Sequence, residues 1–100
     1  MVKHIIIWNF KEEFTPGQNR ENARKVKSGL EGLKGRIDGL LEMNIHIDNL
    51  RSSTGDVMLE SLFTDEKALN AYTVNPEHVR VAEFVRSVLT GRKCVDFEIE

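Results

Sequence analysis

Apolar and polar positions divide the chain into seven blocks, and their spacing assigns each block a conformation. From Val2 to about Phe14 the chain reads as a long strand. One face carries His4, Ile6, Trp8 and Phe10, the other Ile5, Ile7 and Asn9. Both faces are apolar near the start, whereas a strand with one wet face alternates cleanly. Both sides of this strand therefore need cover. Thr15-Pro16-Gly17-Gln18 then predicts a helix start, with Thr15 as cap, Pro16 at the first position and Gln18 completing a capping box. Ala23, Val26, Leu30 and Leu33 recur at helical spacing, and the three glycines from Gly29 to Gly35 predict a stop near Lys34. Ile37-Asp38-Gly39 reads as a turn back into the sheet.

Leu41, Met43, Ile45 and Ile47 alternate with Glu42, Asn44, His46 and Asp48, the signature of a half-buried strand. Arg51 to Asp56 is a polar connection. Val57 to Phe63 is the next strand, again two-faced: Val57, Leu59 and Phe63 oppose Met58 and Leu62. Thr64-Asp65-Glu66 starts a second helix whose inner face is Ala68, Leu69 and Tyr72. Asn75-Pro76 breaks it and opens a third, with Val81, Val85, Val88 and Leu89 inward and Thr90-Gly91 as its end. The last strand carries Val95, Phe97 and Ile99 against Cys94, Asp96 and Glu98.

This order predicts an α+β fold in one domain, 1–100: a four-stranded antiparallel sheet with helices on one face, the ferredoxin-like split βαβ arrangement. Ile5, Ile7, Met58 and Leu62 remain on the other face. An apolar patch of that size is rare on a soluble monomer, so a two-fold homodimer packed through the open sheet face is expected.

Composition narrows the partners. The net charge is −2 and no basic stripe forms, which argues against nucleic acid. The apolar run Ile5 to Trp8 is too short for a membrane span. A single cysteine, Cys94, makes no intrachain disulfide and fits a reducing cytoplasm. The three histidines His4, His46 and His78 show no ligand spacing, and no glycine loop cradles a phosphate, so neither a metal nor a cofactor is expected.

The candidate chemistry lies at the junction of the second and third helices. Asn75 is a good N-cap and Pro76 suits the first helical position. His78 then sits at the positive end of the helix dipole, which favours a neutral ring able to accept a proton. Tyr72 lies three residues before the break and can reach the same space. The pair is acid/base equipment if a pocket surrounds it; otherwise His78 is a partly buried capping residue and Tyr72 a core side chain.

These residues resemble a known family. Val2 to Lys11 resembles the first strand of the stress-responsive A/B barrel domain (Dabb) proteins, and Leu33-Lys34-Gly35 with Ile37 to Leu40 resembles their helix exit. Tyr72 with Asn75-Pro76-Glu77-His78-Val79 resembles their Tyr…His-Pro-x-His segment, and Val95-Asp96-Phe97 their last strand. The resemblance implies a dimeric α+β barrel. A plant branch, similar to olivetolic acid cyclase, closes polyketides by an aldol reaction without cofactor. It implies His78 as base, Tyr72 as carbonyl partner, Asp96 as the group orienting His78, and a pocket wall of His4, Ile6, Trp8, Val57 and Leu59. Asn75 and Val57 stand where that branch has further histidines, which implies a different or smaller ligand, or none. Two functions follow: a cofactor-free enzyme on a small carbonyl compound, or a non-catalytic dimer that binds a small apolar molecule or serves a structural role under stress.

Overall fold

In the computed structural model, which describes residues 1–100, β1 (Val2–Phe10) is an inner strand between β3 (Val57–Phe63) and β4 (Leu89–Glu98). β2 (Leu40–His46) lies outside β3, so the antiparallel sheet has the order β2-β3-β1-β4. The helices α1 (Pro16–Glu31), α2 (Glu66–Val74) and α3 (Pro76–Val88) complete the chain. This is the expected split βαβ architecture.

The alternation in β1 decides which face the helices cover. Val2, His4, Ile6 and Trp8 are buried, and their β3 partners Phe63, Ser61, Leu59 and Val57 are buried with them. Ala23, Val26 and Leu30 of α1 and Leu69, Tyr72, Val85 and Val88 of α2 and α3 close over that layer. No helix covers the other face: only the loop at Gly55 touches it, at Ile7, and Val95 is 59% exposed, Phe97 45% and Ile7 40%.

Local chemistry sets the element ends. The Thr15 hydroxyl accepts from Gln18 N (3.2 Å) and Gln18 Oε1 from Thr15 N (2.9 Å), the capping box read in the sequence. Four boundaries differ from expectation. β1 stops at Phe10, not Phe14, because Asp56 takes over: its carboxylate accepts from Phe10 N (2.8 Å) and its own N–H donates to the Trp8 carbonyl (2.9 Å). α1 ends at Glu31 rather than Lys34, with Gly32 as C-cap. β2 begins at Leu40, and a register irregularity before Glu42 buries Leu40 while leaving Leu41 40% exposed. α3 ends at Val88, and β4 follows at once from Leu89, so Thr90 and Gly91 are strand.

Two glycines are required by geometry. Gly39 has φ +82°, and a Cβ there would lie 2.5 Å from the Ala68 Cβ, so the β2 entrance packs on α2 backbone to side chain. Gly91 has φ +67° and sits at a bulge in β4: Ile7 pairs with Lys93 and Asn9 with Thr90, so Gly91 and Arg92 together face Trp8.

Candidate functional site

Asn75 joins α2 to α3 and is the C-cap of one helix and the N-cap of the next, with ψ 128°. Its Oδ1 accepts from Glu77 N (2.9 Å), and Pro76 fills the first position of α3. This tight link delivers Tyr72, on the last turn of α2, against His78, on the first turn of α3. Their ring centroids are 4.0 Å apart with planes inclined by 35°. Phe63 supports Tyr72 from the sheet, edge-on at 5.0 Å.

The pair borders a cavity of about 190 Å³ between sheet and helices. β1 supplies His4, Ile6 and Trp8, β3 supplies Leu59, and α1 supplies Leu30. One stripe of α3 (His78, Ala82, Val85 and Arg86) forms the lid, and Thr73 and Arg92 complete the wall. The lining is mostly apolar, with a few convergent polar groups, the usual character of a small-molecule site.

The polar atoms in this wall are poorly satisfied. Tyr72 Oη and His78 Nδ1 are both buried and have no hydrogen-bond partner. Tyr72 is only 1% exposed. Burial pushes its phenol well above the ordinary range, so it stays a neutral donor at every physiological pH. Burial lowers the pKa of His78, and the neighbouring His4, Arg86 and Arg92 lower it further, while the Thr73 backbone opposes them without meeting hydrogen-bond geometry at Nδ1. The ring is therefore a neutral base, the state the helix N-terminus also favours.

The expectation that Asp96 orients His78 gives way to a different pairing. Antiparallel register places Asp96 directly opposite His4, and its carboxylate is hydrogen-bonded to His4 Nδ1. That bond fixes Nδ1 as the donor and leaves Nε2 as the lone-pair nitrogen of His4. Asp96 itself does not line the cavity. Val57 also differs from expectation: opposite Trp8 in the register, it is fully buried core and lies outside the cavity wall. His4, Ile6, Trp8, Leu59, Tyr72 and His78 are brought together.

Sequence reasoning missed Arg86 and Arg92. Arg86 is eight residues beyond His78, two helical turns along the same face, a spacing that could have revealed it. Arg92 was hidden by placing the start of the last strand too late. It also missed a ligand cluster: His4, Cys94 and Asp96 are distant in sequence, yet their donor atoms all lie within 4.8 Å of one another. The thiol sulfur is 3.5 Å from Asp96 Oδ1 and 3.8 Å from His4 Nδ1. Burial and the Asp96 charge raise the Cys94 pKa, while a hydrogen bond from Arg92 opposes them. The set has the donor types for a divalent metal but only three of the four ligands of a closed structural site. The adjacent guanidinium disfavours a cation there.

The three-dimensional arrangement has close relatives among solved structures. A dimeric protein of unknown function and ferredoxin-like fold from Bacteroides fragilis superposes with a TM-score of 0.90 at 22% identity, over 98% of this chain and 95% of that one. A dimeric ferredoxin-like protein of unknown function from Thermobifida fusca gives 0.82 at 21% identity, over 98% and 90%. A hydroxynitrile lyase from Passiflora edulis gives 0.74 at 14% identity, over 99% and 93%. At these identities the likeness establishes the fold. A sequence comparison with curated proteins finds no match. No helix is long and apolar enough to cross a membrane. The model of the stress responsive A/B barrel domain (Dabb) matches residues 2–99, and the chain belongs to that family.

Proposed function

We propose that the cavity is a cofactor-free acid/base site acting on a small carbonyl compound. His78 takes a proton from the carbon next to a carbonyl while the Tyr72 hydroxyl donates to the enolate oxygen that forms; with a cyanohydrin it takes the hydroxyl proton as that oxygen becomes the carbonyl and cyanide leaves. His4, its tautomer set by Asp96, offers a second acceptor on the opposite wall. The observation that carries this reading is the pair of buried, unpartnered polar atoms, Tyr72 Oη and His78 Nδ1, on stacked rings beside one cavity. An orphaned buried polar group is costly, and a bound compound that offers a carbonyl oxygen to Tyr72 and a proton to His78 relieves that cost. The lyase named among the structural neighbours makes cyanohydrins a sensible part of the substrate panel.

The test follows α-proton exchange of small aryl and alkyl ketones in D2O by NMR, and cleavage of mandelonitrile to benzaldehyde by absorbance. Wild-type protein is expected to accelerate at least one reaction, and His78→Ala to lower that rate by about 10²–10⁴-fold, the usual contribution of a positioned base. Rates at the buffer level with every compound, or an unchanged His78→Ala variant, refute the proposal.

We further propose that the protein is a homodimer closed through the open sheet face. Ile7, Val95 and Phe97 are exposed there, and the Bacteroides and Thermobifida relatives are dimeric. Sedimentation of Val95→Asp is expected to give a monomer where wild type gives a dimer. A wild-type monomer at micromolar concentration refutes the assignment.

A further inference from the structure

We propose that the ligand of this cavity carries an anionic head, a carboxylate, held by Arg86 and Arg92, while its apolar carbonyl-bearing body occupies the chamber beside Tyr72 and His78. The inference rests on the cavity being the ligand site described above, and it adds the class of molecule that enters.

Both arginines line the cavity, from different elements. Neither has a carboxylate within 4.0 Å, whereas Lys3, Arg24, Lys27 and Arg36 each have one. Both charges act on the cavity wall, where each lowers the pKa of His78. Each is placed by structure. Arg86 belongs to the α3 stripe that begins at His78, about 12 Å along the axis at 1.5 Å per residue. Arg92 is aimed by the β4 bulge: Gly91 takes φ +67°, and the doubled residue turns Arg92 to the side of Trp8. A bulge next to a cavity is a recurrent device for re-aiming one side chain. Tyr72 Oη, unpartnered in a side chain 1% exposed, independently marks the inner end as awaiting a polar ligand atom.

The dimensions agree. An engineered apolar cavity of about 150 Å³ holds benzene, so about 190 Å³ accepts one ring with a short extension. His78 and Arg86 lie two turns apart on α3, about 12 Å of axial rise before their side chains reach inward, so a carbonyl and an acid separated by a short chain can engage both. A guanidinium binds a carboxylate through two parallel hydrogen bonds, so the predicted class is a small aryl or alkyl keto acid.

The experiment compares 3-benzoylpropanoate with its neutral amide, 3-benzoylpropanamide, by isothermal titration calorimetry. Charge-assisted bonds predict that the acid binds about tenfold tighter or more, with an advantage that shrinks as salt is raised. Arg86→Gln and Arg92→Gln are each expected to reduce the ratio, and the double variant to bring it near one. Both side chains are exposed, so folding is expected to survive; Lys67→Gln, at an exposed position of α2 outside the cavity wall, controls for net charge and should leave the ratio intact. Equal affinities for acid and amide, a ratio that persists in the double variant, or no binding of either compound at millimolar concentration overturns the inference. His78→Ala separates it from the catalytic reading. A preserved ratio with no turnover by any form of the protein sinks the base and leaves the anion site standing.

Discussion

Replacing Tyr72 with Phe removes one oxygen from the centre of the molecule, and the structure fixes the sign of the result. The hydroxyl is buried without a partner in a side chain 1% exposed. Holding such a group away from water costs about 1–3 kcal/mol. The ring's own contacts, edge-on to Phe63 at 5.0 Å and stacked on His78 at 4.0 Å, are kept by Phe. The cavity beside it has room for water, which offsets part of the cost, so the gain falls at the low end, about 1 kcal/mol. For a chain of this length that raises Tm by about 4–8 °C. The assay is urea denaturation followed by circular dichroism at fixed protein concentration, since the midpoint of the proposed dimer depends on it. Tyr72→Ala deletes the ring and is expected to cost about 3–5 kcal/mol. On the proposed function, Tyr72→Phe also lowers turnover by about 10²-fold or more, the effect of losing one oxyanion donor. A more stable and less active variant is the signature of a group kept for chemistry at the expense of the fold. Destabilisation of Tyr72→Phe by 1 kcal/mol or more would refute the reasoning, because the hydroxyl would then be a satisfied structural group.

Three further outcomes follow from named contacts. Because His78 has a lowered pKa in the folded chain, the unfolded chain takes up its proton first as pH falls through about 6.5. Stability drops in that window and levels off below the folded pKa; denaturation from pH 8 to 5 should show this slope in wild type and a weaker one in His78→Gln, and identical slopes would refute it. Glu31 fastens α1 to the outer edge of the sheet, its Oε2 accepting from Ile45 N (2.9 Å) and Lys27 Nζ (2.9 Å). Burial raises its pKa, but these bonds outweigh that and hold it below the usual value. Glu31→Ala is expected to cost about 1–2 kcal/mol in chemical denaturation and to expose the Ile45 amide to hydrogen exchange. Gly35 and Gly39 share positive φ but differ in surroundings: nothing lies within 4 Å of a Cβ at Gly35, whereas Ala68 lies 2.5 Å from one at Gly39. Gly35→Ala should cost only the conformational strain, about 1–2 kcal/mol, and Gly39→Ala a further 1–3 kcal/mol or so for the clash; equal losses would contradict the packing.

Period and capping made most of the fold legible. Ile5 and Ile7 on the face opposite Ile6 and Trp8 announced a sheet needing cover on both sides, and Thr15-Pro16-Gly17-Gln18 located the start of α1 to the residue. What escaped was set by contacts far apart in sequence. No local pattern says that Asp56 truncates β1, since its partners are Trp8 and Phe10 in another strand. Leu89 continues the apolar stripe of Val85 and Val88, so periodicity extends α3 through a residue that the sheet claims instead.

The same distinction governs the site. Tyr72 and His78 could be paired from sequence because the Asn75-Pro76 junction is local chemistry. Asp96 could not be assigned to His4, because only the β1–β4 register decides whom it faces, and register is invisible until both strands are aligned. Arg92 depended on two such facts at once: that β4 begins at Leu89, and that Gly91 adds an extra residue opposite Trp8. Without the bulge, strict alternation from Arg92 would put Val88 and Thr90 on the helix side; with it, Leu89 pairs with Phe10 and is buried while Arg92 still faces the cavity side. One glycine thus reconciles a closed apolar core at the start of the strand with a cation at the cavity wall, and the charge that would choose the ligand depends on the conformational freedom of a residue with no side chain.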